Sequence, residues 1–137
     1  MKPFHLAILV SNLEKARSFY SGVLCLKEKR STLTSIHYDF FGHHLVLHES
    51  SLYQAMAIPK QVKLDSFSYP HFGIVLSFDE WESLRQHLES ENVEFFIPPC
   101  KRFVGENHEE NVMFILDPSQ NIIEIKHYTQ LAGTDWL

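Results

Sequence analysis

The sequence predicts an α+β fold built from two copies of one unit, each a strand, a helix and then three strands. Three observations predict it. Residues 4–24 and 70–93 read alike, as a strand opening on a histidine, a polar break and an amphipathic helix, with His5 and His71 standing 66 residues apart. After each helix the apolar residues return to strand character. The length of 137 residues is that of one domain, enough to bury a core.

Element by element, the first strand alternates through Leu6, Ile8 and Val10. Ser11 can cap the helix that follows, with Glu14 three residues on, and Leu13, Ala16, Tyr20 and Val23 form its apolar stripe. Strand character covers residues 32–41 and, across Gly42, 44–48. In the second copy Asp79 can cap with Glu82, and Trp81, Leu84 and Leu88 hold the helix phase. Strands follow at 93–97, 111–116 and 122–128, the last two joined across Asp117-Pro118-Ser119-Gln120-Asn121, a run with tight-turn composition. One domain over residues 1–137 is expected, with modules at 1–50 and 70–130 and a linker at 51–69. Residues 98–110 read as a long loop inside the second module.

Composition narrows the partners. A net charge of -5, from 12 basic and 17 acidic residues, provides no electrostatic footprint for nucleic acid. Cys25 and Cys100 lack CxxC spacing, which suits a reducing compartment. The unbroken apolar run Leu6 to Val10 is too short for a signal core or a membrane span, so a cytoplasmic protein without a membrane partner is expected. Nine histidines, with His37, His43, His44 and His48 crowded into twelve residues, direct the search for chemistry to imidazole.

Side chains alternate across a strand, so parity assigns each residue to a sheet face. With Leu6, Ile8 and Val10 packed on the helix, His5 faces away; with Phe72, Ile74 and Leu76 packed, His71 and Gly73 face away. On the same grounds His44, Val46 and His48 face away in the strand closing the first copy, and Ile122, Glu124 and Lys126 in the final strand. His5 to His48 spans 43 residues and His71 to Glu124 spans 53; the difference of ten matches the longer loop of the second copy. His5, His48, His71 and Glu124 are therefore the candidate metal ligands, converging if the sheets curve around a shared cleft. Imidazole and carboxylate suit Zn, Fe, Ni or Mn, and two histidines with one carboxylate is the set of non-haem Fe(II) oxygenases. Glu124, set among isoleucines, would be costly to bury unpaired. His37, His43, His87, His108 and His127 read as surface or loop residues, whereas His44 shares the face of His48 and can serve as a second-layer or acid/base group.

The chain resembles the vicinal oxygen chelate superfamily, the glyoxalase I, bleomycin-resistance and extradiol dioxygenase group. The resemblance is carried by His5-Leu6-Ala7-Ile8-Leu9-Val10, by Leu13-Glu14-Lys15-Ala16-Arg17-Ser18-Phe19-Tyr20 with Val23-Leu24, by Pro70-His71-Phe72-Gly73, and by Leu116-Asp117-Pro118-Ser119-Gln120-Asn121 leading to Ile123-Glu124. It implies paired βαβββ modules forming a cupped mixed sheet around a divalent metal. It implies further that His5, His71 and Glu124 occupy the metal positions. Glyoxalase I-like members carry Glu at the fourth position and triad members leave it without a ligand, so His48 either completes a set of four or stands outside a triad. Cys25 and Gln120 replace two glycines usual in the family.

The implied chemistry is chelation of a small substrate through two adjacent oxygens. Fe(II) or Mn(II) would support ring cleavage by O2, as in extradiol dioxygenases; Zn(II) or Ni(II) would support isomerisation through an enediolate, with Glu124 as the base. A dioxygenase-like oxidoreductase is the expected enzyme, because histidine predominates and Glu appears only at the last position. A glyoxalase I-like lyase or isomerase is the alternative, and a bleomycin-resistance-type binding protein the non-catalytic one. His44 and Tyr128 are candidate proton donors, and Lys101 and Arg102 could meet an anionic substrate. No cluster of basic residues is evident beside the final strand to suggest a fosfomycin-type thiol transferase. The modules can pair within one chain or across a homodimer.

Overall fold

The computed structural model describes residues 2–55 and 62–130. The expected linker 51–69 therefore lies partly outside the described residues, at 56–61. The chain divides into two compact units, Met1–Ala57 with Asp117–Asn121, and Ile58–Leu116 with Ile122–Leu137.

In the first unit β1 (His5–Val10) leads to α1 (Leu13–Arg17), which continues as a π-helical stretch, Ser18–Val23, and then to β2 (Lys27–Ser31), β3 (Ser35–Phe40) and β4 (His43–Glu49). The sheet order is β1-β4-β3-β2, with β1 parallel to β4 and the other pairs antiparallel. Exposure along β1 alternates as parity requires, His5, Ala7 and Leu9 being exposed and Val10 buried. The core beneath the other face takes Ala16, Tyr20, Ile36, Tyr38, Leu45 and Leu47, all nearly solvent-free.

The helix starts one residue later than the capping pattern suggests. Asn12 is its cap, its side-chain oxygen accepting from the Lys15 N–H at 2.8 Å. Ser11 is engaged elsewhere, its backbone N–H donating to Ser119 Oγ at 2.9 Å. The unforeseen strand is β2, a Lys-Glu-Lys-Arg-Ser run with no apolar alternation; as an edge strand it takes its order from pairing with β3.

In the second unit a short 3-10 turn, Leu64–Ser66, precedes β5 (His71–Val75), α2 (Phe78–Ser90), β6 (Phe95–Arg102), β7 (Glu110–Leu116) and β8 (Ile122–Tyr128). Its sheet order, β5-β8-β7-β6, repeats that of the first, again with one parallel pair, β5 and β8. Ser77 caps α2 in a reciprocal box with Glu80, two residues before the expected pair, and Glu82 instead pairs with Arg85. Ile123 and Ile125 pack on the helix side, where the Trp81 indole N–H donates to the Ile125 carbonyl at 3.1 Å. β6 runs through Pro98-Pro99 and shortens the expected loop; the two prolines are tolerated because β6 is an edge strand, with register shifts at 95–97 and 97–100.

Both glycine departures fall where the backbone asks for glycine: Cys25 (φ 55°) and Gln120 (φ 67°) sit in the left-handed region. Among the described residues no helix is long and apolar enough to cross a membrane.

Candidate metal centre

The non-helix face of the second sheet brings His71 and Glu124 together, Nε2 to Oε2 at 3.4 Å. Two donors bound about 2.1 Å from one ion lie about 3.0–3.4 Å apart, so this spacing suits cis ligands. His71 Nδ1 lies 2.8 Å from the backbone carbonyl of Tyr69. A carbonyl only accepts, so Nδ1 carries a proton, and in the neutral ring Nε2 is the lone pair that faces Glu124. Opposite Glu124 on β5 stands Gly73, and the pairing needs glycine: a Cβ there would lie 1.7 Å from the Glu124 carbonyl oxygen.

Glu124 is also the middle of a row of alternating charge. Lys126, two residues on and therefore on the same face, places Nζ 3.1 Å from Glu124 Oε1 and 3.2 Å from Glu110 Oε2. Arg102, expected in a loop, ends β6 opposite Glu110, with Nη1 3.4 Å from Oε1. Burial pulls the Lys126 pKa down, but the carboxylates of Glu124 and Glu110 outweigh it and hold the ammonium above its ordinary value. Two basic residues do flank this face, and both are tied to carboxylates. Beside the row lies an apolar wall: Ile97, Val112, Phe114 and Ile122, with Phe67 and Phe96 packed against them. The Phe67 ring is 5.1 Å from that of His71 and 4.8 Å from that of Phe114.

The first unit gathers imidazoles instead. His5 stands opposite His44 in the parallel ladder, Nδ1 to Nδ1 at 2.9 Å, and His44 Nε2 meets His37 Nδ1 at 2.9 Å. Burial first, then the positive charge of Arg30 and the neighbouring imidazoles, lowers the pKa of His37. His37 was legible only through alternation along β3, which puts it opposite Val46 on the His44 face.

The registers correct the pairing of half-sites obtained by counting. His5 faces His44 and Ala7 faces Val46, while His71 faces Ile122 and Gly73 faces Glu124. The counterpart of Glu124 is therefore Val46, and that of His44 is Ile122. His48 lies two residues further along β4, opposite Leu9 and Ser35, and is exposed. Counting failed because the extra length of the second copy is not confined to the loop that was credited with it. Tyr128 pairs with Glu110, four residues or about 13 Å of strand beyond Glu124, and its ring lies 5.6 Å from Lys126 Nζ. Both ring nitrogens of His44 meet neighbouring imidazoles, Nδ1 that of His5 and Nε2 that of His37. Lys101 pairs with Glu109 at 3.4 Å. Among the described residues, no group of three or more His, Cys, Asp or Glu side chains is arranged as a metal cage.

The family model described as Glyoxalase/Bleomycin resistance protein/Dioxygenase superfamily matches residues 2–125. Of solved structures, a glyoxalase/bleomycin resistance protein/dioxygenase from Alicyclobacillus acidocaldarius is 31% identical over 93% of this chain and 92% of that one, with a TM-score of 0.79. A glyoxalase/dioxygenase from Nostoc punctiforme is 15% identical, covering 93% and 90% with a TM-score of 0.69. The fosfomycin resistance protein FosX from Listeria monocytogenes is 18% identical, covering 96% and 98% with a TM-score of 0.67. The last two likenesses concern the fold alone. No curated protein matches the chain.

Proposed function

Since the chain belongs to the glyoxalase/bleomycin resistance protein/dioxygenase superfamily, we propose that it is a metal-dependent dioxygenase that chelates a small substrate through two adjacent oxygens. His5, His71 and Glu124 are the proposed ligands, and Fe(II) or Mn(II) the proposed metal. The observation that carries this reading is the residue in the position equivalent to Glu124 in the first sheet, Val46, which is apolar and 2% exposed. The duplicated halves thus contribute one carboxylate between them. Two imidazoles and one carboxylate is the ligand set of non-haem Fe(II) oxygenases, whereas an isomerase tetrad would want a second carboxylate. His48, off the equivalent position, stands outside the proposed triad.

A metal bound there would supply Lewis acidity toward the substrate oxygens and, if iron or manganese, a redox partner for O2. The protein's own contribution is legible in its side chains. Lys126 occupies Glu124 Oε1 and leaves Oε2 directed at His71. The Tyr69 carbonyl fixes the His71 tautomer. Phe67 and Phe114 pack against one side of His71 with aromatic rings, a neighbourhood suited to the aromatic ring of a catechol.

Metal analysis of the purified protein is expected to find one divalent ion per site, lost in His5→Ala, His71→Ala and Glu124→Ala alike. Unchanged occupancy in any of the three would refute the ligand assignment. After anaerobic loading with Fe(II), a catechol panel should draw oxygen at an electrode. Isomerisation of methylglyoxal with glutathione on Ni(II) or Zn(II), without oxygen uptake on Fe(II), would overturn the dioxygenase reading.

A further inference from the structure

Three histidines on neighbouring strands, His5 on β1, His44 on β4 and His37 on β3, touch ring to ring. Their centroids lie 4.6 Å apart for the first pair and 5.1 Å for the second. A neutral imidazole donates from one nitrogen and accepts at the other. His44 is met on both nitrogens, so the chain can run in only one direction at a time. In one direction His5 donates from Nδ1, His44 accepts at Nδ1 and donates from Nε2, and His37 accepts at Nδ1. In the other, every role is reversed and the proton of His5 sits on Nε2, where it would block a metal.

The second unit indicates which direction is the functional one. His71 is the counterpart of His5, and its Nδ1 proton is held by the Tyr69 carbonyl at 2.8 Å, leaving Nε2 as the lone pair. The first unit has a histidine, His44, within reach of the same ring nitrogen of His5. Hydrogen bonds of this kind set the orientation and basicity of a ligating imidazole. We propose that His44 and His37 are positioning residues that hold His5 as its Nδ1–H tautomer, with Nε2 presented as the donor to a metal. The inference rests on His5 being a ligand, as in the proposed function, and assigns to His44 and His37 roles distinct from acid/base catalysis.

The test uses the full chain freed of metal by a chelator. Long-range nitrogen–proton NMR of the imidazoles should find His5 protonated on Nδ1. In His44→Leu and His37→Ala the Nε2–H form of His5 should grow, while His71 keeps its tautomer and so reports an intact fold. Zn(II) affinity, read by competition with a chromophoric chelator, should fall about 10–100-fold in both variants. His44→Gln, whose amide can accept from His5 and donate to His37, should stay close to the untouched chain. An Nε2–H His5 in the untouched chain, or undiminished Zn(II) affinity in His44→Leu, would overturn the inference. An untouched chain that takes up no metal would overturn the proposed function itself, and that is read before any variant is made.

Discussion

Replacing Lys126 by Met tests the charge row beside Glu124 with little change of shape, since the apolar stem is kept and only the ammonium goes. The Lys126 side chain is 19% exposed and reaches Glu124 Oε1 at 3.1 Å and Glu110 Oε2 at 3.2 Å; the Glu110 side chain is 3% exposed. Without Nζ, among the described residues Glu110 keeps only Arg102 as an ion-pair partner, at 3.4 Å, and Glu124 only His71, at 3.4 Å. Stranding one member of a buried pair costs about 3–5 kcal/mol. The surviving Arg102 contact puts the expectation at the lower end, about 3 kcal/mol. In a chain of 137 residues that corresponds to a Tm lower by about 10 °C. Urea unfolding of the metal-free protein measures the loss directly. Because the folded-state pKa of Lys126 is raised above its ordinary 10.5, the contribution is full below that pH and disappears as pH rises through the folded value. Adding Glu110→Gln to Lys126→Met removes the Glu110 charge stranded by the first change and should recover about half of the deficit, about 1.5 kcal/mol; the coupling in the double-mutant cycle is that recovery plus the cost of Glu110→Gln alone. A loss below about 1 kcal/mol, or a double variant no more stable than Lys126→Met, would mean that the row is ornament and that Glu124 is held by its strand alone.

Gly73→Ala should cost about 3 kcal/mol or more, because the new Cβ would lie 1.7 Å from the backbone oxygen of Glu124, which cannot swing aside as a side chain would; a denaturation midpoint near that of the parent would refute the close approach. Cys25→Gly and Gln120→Gly should each stabilise by about 0.5–1 kcal/mol, the relief of a left-handed L-residue less the entropy that glycine gains on unfolding, and thermal melts that move downward would count against it. Tyr20 is fully buried with its hydroxyl 2.9 Å from Asp117 Oδ2, and burial first, then that carboxylate, raises its pKa well above 10. The unfolded chain therefore releases a proton above pH 10 that the folded chain keeps, so stability must fall as pH rises past 10. Tyr20→Phe should flatten that limb in pH-dependent urea melts while costing about 1.5–3 kcal/mol at neutral pH.

The sequence made the repeat visible because both copies keep the same phase of apolar residues on strand and helix, and parity alone put His5, His71, Glu124 and Lys126 on non-helix faces. What escaped it was of two kinds. The edge strand β2 has no alternation to read, since its charged residues meet solvent and its order comes from hydrogen bonds to β3. Register between distant strands is the other kind. His48 and Val46 share a face, and nothing along β4 says which of them lies level with Glu124 of the other copy; only the pairing of His5 with His44 and of His71 with Ile122 decides it. The cap of the first helix slipped for a related reason: Ser11 has the right side chain, but its Oγ meets that of Ser119, 108 residues away, at 3.2 Å.

The same register explains how two copies of one fold came to hold different chemistry. Equivalent positions carry His44 and Ile122 in one layer and Val46 and Glu124 in the next. In the first sheet the polar member lies level with His5 and can reach its ring, which is why the imidazoles chain together. In the second the polar member lies one pair further along, level with Gly73, and the layer of His71 is apolar, filled by Ile122 and the aromatic residues around it. Each first-strand histidine consequently needs a different partner for Nδ1, a side chain in one copy and the Tyr69 carbonyl in the other. A backbone carbonyl cannot be mutated away, whereas His44 can. The orientation of His5 is therefore the more easily tuned of the two, and substitutions along the His44–His37 arm should alter the tautomer of His5 while leaving the His71–Glu124 pair as it is.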